Sequence, residues 1–137
     1  MAKMILGGIV AVLVAVLAGF IWGAAGRSDL QAALQQLEVR SDLLEARGFV
    51  LASRIDVYNT NFGDSSRNLE EARAVVDRAM GRLQALGSDA DAKQLEGALT
   101  PIREAQQLAG KLDLGANGRA AEAGKIIDGL LQARPVP

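Results

Sequence analysis

Carboxylates paired at helical spacing are the first candidates for chemistry in this chain. Glu70 and Glu71 stand beside Arg73, and Asp89 and Asp91 stand near Lys93. Two carboxyl groups held in unlike environments can divide general-acid and general-base roles. Both groups, however, fall where helices begin, and acids in a first turn stabilise the positive end of the helix dipole. A solvated face is therefore expected at each. The cluster Asn59, Asn61, Gly63, Asp64, Ser65 and Ser66 offers many oxygen ligands. It lacks the acid order and the twelfth-position Glu of a calcium loop. It reads as a connection between helices, with Asp64 or Ser65 as N-cap.

The chain has no histidine and no cysteine. Thiolate zinc sites, disulfides, histidine-ligated haem and imidazole acid–base catalysis are thereby excluded. No glycine-rich loop joins a strand to a helix, and no hydroxyl nucleophile has a base beside it. No catalytic, metal-binding or cofactor-binding residue is assigned, and the chain is not expected to be an enzyme. Fifteen basic side chains face sixteen acidic ones, so the basic surplus that nucleic acid requires is missing.

With chemistry set aside, the elements themselves carry the information. From Met4 to Gly26 the chain runs MILGGIVAVLVAVLAGFIWGAAG without a charge. As a helix this covers about 34 Å, enough for a hydrocarbon layer of about 30 Å. Trp22 suits the headgroup level, and Lys3 and Arg27 bracket the segment as interface anchors. A cleaved signal peptide is the competing reading, but the apolar run exceeds the usual h-region. One transmembrane helix is expected, with the lipid bilayer as its first partner.

Within that helix Gly7, Ala11, Ala15, Gly19 and Gly23 recur at steps of four. Such a ridge of small residues lets another membrane helix approach closely. Gly and Ala are common in membrane helices in any case, so the ridge is also explicable without a partner. Positive charges flank both ends almost equally. The short N-terminal tail favours retention of that end and export of the rest. The expectation is a single-pass protein of a bacterial inner membrane with its C-terminal domain in the periplasm.

Beyond Arg27 the pattern becomes periodic, and Ser28 with Gln31 resembles a capping box that would open a new helix. Leu30, Leu34, Leu37, Ser41, Leu44, Gly48, Leu51, Ile55, Tyr58 and Phe62 follow a 4-3 alternation. This predicts a long helix whose large residues Leu30, Leu34, Leu37, Leu44, Leu51, Ile55, Tyr58 and Phe62 form the seam of a bundle. Glu38, Arg40, Asp42, Glu45 and Arg47 mix signs along it, as an exposed surface or an inter-helix salt-bridge zone would. A second helix carries Leu69, Ala72, Val76, Ala79, Leu83 and Leu86 and stops at Gly87, a left-handed C′ residue. Ser88 with Asp91 caps a third that carries Leu95, Leu99, Ile102, Leu108, Ala109 and Leu112; at Thr100-Pro101 it either kinks, the preferred reading, or gives way to a new helix with Thr100 as N-cap and Pro101 at N1. Gly115, Asn117 and Gly118 form a loop, with Asn117 as N-cap of a last helix through Ala120, Ala123, Ile127, Leu130 and Leu131.

The expected architecture is all-α: a tail (1–3), a transmembrane helix (4–26), an antiparallel bundle of three or four helices (27–134) and a C-terminal tail (135–137). Three functions fit it. The first is a non-catalytic accessory or structural subunit docking in a larger membrane complex, such as an energy-transducing one. The second is an anchored binding module for a small ligand, peptide or envelope component. The third is a coiled-coil spacer that pairs with itself.

Overall fold

The computed structural model describes the backbone of residues 2–134 and the side chains of residues 29–134. The side chains of segment 4–26, with its ridge Gly7, Ala11, Ala15, Gly19 and Gly23, the anchors Lys3, Trp22 and Arg27, and the tail 135–137 lie outside the described residues; no separate helix starts at Ser28, because one helix runs unbroken from Ala2 to Tyr58. Among the described residues no helix is long and apolar enough to cross a membrane.

The fold is all-helical. It comprises α1 (Ala2–Tyr58), α2 (Phe62–Ala85), α3 (Asp89–Glu96), α4 (Leu99–Gly110) and α5 (Ala116–Ala133). The chain divides into two compact units, Met1–Gln36 and Leu37–Pro137. In the first, Leu30 and Leu34 are exposed.

The second unit is a helical bundle built from the part of α1 beyond Leu37, from α2, from a third leg made of α3 and α4, and from α5. Polar pairs fix its directions. Ser53 meets Ser65 and Glu38 meets Arg82, so α1 and α2 are antiparallel. Arg47 meets Asp128 and Arg54 meets Asn117, so α5 is also antiparallel to α1. Arg119 of α5 reaches back to Glu104 of α4. The legs therefore run up, down, up, down, as short connections between neighbours require.

Alanine sets the spacing of the core. Ala46, Ala72, Ala79, Ala92, Ala98, Ala105, Ala120 and Ala123 are buried among Leu43, Leu69, Leu83, Leu95, Ile102, Ile127 and Leu130. Small residues facing large ones let the helices interdigitate without voids. The inward sets expected on α2 and α5 are buried as read, with Leu86 and Leu131 half-buried at the margin. Leu112 departs from its reading: it is 70% exposed and lies in the turn after α4.

Three helices close in the same way. At Gly87 (φ 70°) the amide of Ser88 donates to the Leu83 carbonyl and that of Gly87 to Gln84. This is the Schellman arrangement predicted for Gly87. The same pair of bonds closes α1 through Thr60 (φ 61°) and α4 through Leu112 (φ 57°). Neither residue suits the left-handed region, because its Cβ crowds the backbone there. The paired amide–carbonyl bonds hold both turns.

Three boundaries differ from the sequence reading. α2 begins at Phe62 with Asn61 as N-cap, ahead of Asp64 and Ser65, because the Thr60 turn completes the reversal sooner. The third leg breaks at Gly97-Ala98 instead of kinking at Pro101, so Pro101 sits in the first turn of α4, where its missing donor costs nothing. α5 begins at Ala116, which places Asn117 inside the helix with its side chain committed to Arg54.

Candidate protein-interaction face

Helix α1 of the bundle carries two stripes. Val39, Leu43, Ala46, Val50, Ser53 and Val57, at 4-3 spacing, are buried. Apart from Ser53 these side chains are apolar and join the two clusters of the core. Ser53 Oγ lies 2.9 Å from Ser65 Oγ, so each buried hydroxyl has a partner. The opposite stripe is the seam read from the sequence, and it faces outward. Leu37, Leu51 and Ile55 are exposed, Leu44 is 49% exposed and Tyr58 81%.

The seam is thus corrected: Leu37, Leu44, Leu51, Ile55 and Tyr58 do not line the bundle interior, and Leu30 and Leu34 are exposed as well. Only Phe62 packs inward, half-buried against Val57, Ala109 and Ala116. The physical reason is that α1 holds two heptad-spaced stripes. The interior accepted the smaller side chains, which permit close packing, and left the larger ones outside.

Both edges of the outer stripe are charged. Toward α2, Asp42 is 4% exposed and sits between two guanidiniums, with Arg78 Nε at 3.0 Å and Arg82 Nε at 3.1 Å. Glu45 binds Arg78 at 2.5 Å and Glu38 binds Arg82 at 2.6 Å, completing a ladder across the two helices. The hydrogen bond to Asp42, its negative charge and then Glu45 hold the Arg78 guanidinium above its ordinary pKa. Asp56 extends this edge and accepts from Asn68 at 2.7 Å. The inter-helix salt-bridge reading of this zone is the one observed.

Toward α5 the edge is basic. Arg47 binds Asp128, Arg54 donates to Asn117 Oδ1 at 2.8 Å, and Arg40 donates to the carbonyls of Leu131 and Arg134. Arg134 turns its own guanidinium to Asp91 and Ser88, which ties the start of α3 and the end of α5 to α1 at Arg40. An open groove of about 410 Å³, lined by Leu51, Arg54, Ile55, Tyr58 and Asn117, continues the apolar stripe. A smaller one of about 200 Å³ lies between α1 and α5 and includes Lys125 and Gly124.

Little of this resembles a reaction centre. Among the described residues no three acidic side chains converge as a metal site would require. Of the four carboxylates considered for acid–base work, Glu70 accepts from Gln106 Nε2 at 3.0 Å and binds Arg73, Asp91 binds Arg134, and Glu71 and Asp89 are exposed. Among the described residues, the outer stripe of α1 is the longest run of exposed large hydrophobic side chains. No family model, no curated protein and no solved structure matches the chain.

Proposed function

We propose that this chain is a non-catalytic docking subunit, held in a bacterial inner membrane by segment 4–26 and offering the outer stripe of α1 to another helix of a membrane protein assembly. The carrying observation is the exposure of Leu37, Leu44, Leu51, Ile55 and Tyr58 in heptad register on a helix whose opposite face completes a core. Large apolar residues left exposed in register mark an interaction site more often than chance surface composition. A second helix laid along them would make knobs-into-holes contacts. The membrane placement rests on the uncharged 23-residue run and its bracketing Lys3, Trp22 and Arg27. The ridge from Gly7 to Gly23 provides a second docking surface inside the bilayer.

The binding-module reading has less support. Interior positions are filled by Leu, Val, Ile and Ala, and the grooves on α1 are open to solvent. A specific small-molecule site needs a more enclosed cavity. The test is to purify the intact chain in mild detergent from native membranes. Docking predicts partner chains, of the same or another kind, in fixed stoichiometry, which Leu44→Glu removes. A monomer unaffected by that substitution overturns the reading.

A further inference from the structure

We infer that the occupant of the outer stripe of α1 is a second copy of this chain, laid alongside in the same direction as a parallel two-fold pair. The inference rests on the docking reading above and names the partner for that same face. In heptad terms the stripe alternates d positions Leu37, Leu44, Leu51 and Tyr58 with a positions Ser41, Gly48 and Ile55. A Cβ built on Gly48 meets nothing within 4 Å, so a neighbouring helix has room to come close between the Leu44 and Leu51 layers. Size alone does not choose a direction, since large d residues can face small a residues in an antiparallel pair as well.

Charge along the edges makes the choice. The α2 edge holds four carboxylates, Glu38, Asp42, Glu45 and Asp56, against the two guanidiniums of Arg78 and Arg82, leaving it net negative. The α5 edge holds Arg40, Arg47, Arg54 and Lys125 against Asp128, leaving it net positive. Arg40 and Arg54 are bound there by carbonyl and amide oxygens, which do not neutralise them. Rotation about an axis parallel to α1 brings the negative edge of one copy against the positive edge of the other, on both sides of the pair. Glu45 at an e position then faces Arg40 at a g position of the second copy. Antiparallel pairing sets positive edge against positive edge and negative against negative, which like-charge repulsion penalises. Two copies anchored through segment 4–26 in one bilayer also emerge on the same side, which favours the same direction.

Because the chain lacks cysteine, single cysteines report cleanly. The full-length chain is reconstituted in phosphatidylcholine vesicles and mildly oxidised as Leu44→Cys, Leu37→Cys or Tyr58→Cys, with Gln107→Cys on α4 as the off-face control. Parallel pairing gives a disulfide dimer for each face variant and none above background for the control. In a mixture of Leu37→Cys and Tyr58→Cys chains of different tag length, same-position links dominate. Adding Leu44→Glu to the Leu37→Cys chain weakens dimerisation at least about 100-fold, since two buried leucines become two facing carboxylates. Predominant links between positions 37 and 58 overturn the parallel arrangement. Absence of any face-specific link overturns self-pairing. The docking proposal survives that second result if native purification returns a different partner that Leu44→Glu releases, and fails with it if none is found.

Discussion

Leu43 and Leu44 are neighbours on α1 with opposite fates: Leu43 is fully buried in the bundle core, whereas Leu44 stands half-exposed on the outer stripe. Consecutive helix residues point about 100° apart, so one helix can serve a core and a partner at once. The pair separates folding from association. Leu43→Ala removes contacts the core cannot refill and is expected to cost about 2–4 kcal/mol. Leu44→Ala should cost less than about 0.5 kcal/mol at dilutions where chains are apart. Urea denaturation of both variants in the same detergent checks this; equal losses would mean that the outer stripe is part of the fold.

Asp42 offers a second measurement. Its carboxylate is buried, but the guanidiniums of Arg78 and Arg82 that hold it are partly exposed. Asp42→Ala leaves those guanidiniums access to water and to Glu45 and Glu38, so the expected loss is about 1–2 kcal/mol, below the cost of stranding a fully buried charge. Arg78 has a raised pKa, so what its charge contributes is present below the ordinary arginine range and fades only as pH climbs past it. A denaturation midpoint that moves between about pH 7 and pH 10 in the wild type but not in Arg78→Met would contradict this sign.

Ser53 and Ser65 form a buried hydroxyl pair between α1 and α2. Either single alanine substitution strands one hydroxyl away from water and should cost about 1–2 kcal/mol. The double variant removes donor and acceptor together. Its loss should fall short of the sum by about 1 kcal/mol, and strict additivity in a double-mutant cycle would show that the bond contributes nothing.

Thr60 and Leu112 occupy left-handed positions that glycine fills without steric cost. Thr60→Gly and Leu112→Gly are each expected to stabilise the bundle by about 0.5–1 kcal/mol, net of glycine's entropy in the unfolded chain. Gly87→Ala, at the same kind of position, should destabilise by a similar amount. Thermal melts read all three, and a destabilised Thr60→Gly would mean that the threonine side chain has a role the turn geometry does not reveal.

Much of the bundle was readable before its structure, because α2 and α5 each carry one apolar stripe and a single stripe has only one place to go. Gly87 announced its turn, since glycine after an apolar period rarely means anything else. Thr60 and Leu112 gave no such signal, because neither residue type favours the left-handed conformation that its turn adopts. α1 misled for a different reason. Its Leu-rich stripe outweighs the Val, Ala and Ser stripe that became the core, and hydropathy ranks stripes by greasiness, whereas close packing in an alanine-lined interior selects by size. The candidate face was therefore visible in the sequence as a stripe while its direction was reversed. Its charged edges were legible as residues and not as edges, because Asp128 and Arg78 are distant in sequence from the α1 side chains they meet.

The position of α5 against α1 has a consequence during synthesis. The core side of α1 is closed on one flank by the last helix, tied down by Arg40 and Arg47. A ribosome that has released α1 must still produce α5 before that flank is covered, and long-range closure of this kind is slow compared with local helix formation. In the interval the emerging chain presents two greasy sides instead of one, a state open to premature pairing. Early engagement of the outer stripe would leave the inner one as the only exposed side, so association during translation would protect the nascent bundle as well as assemble it.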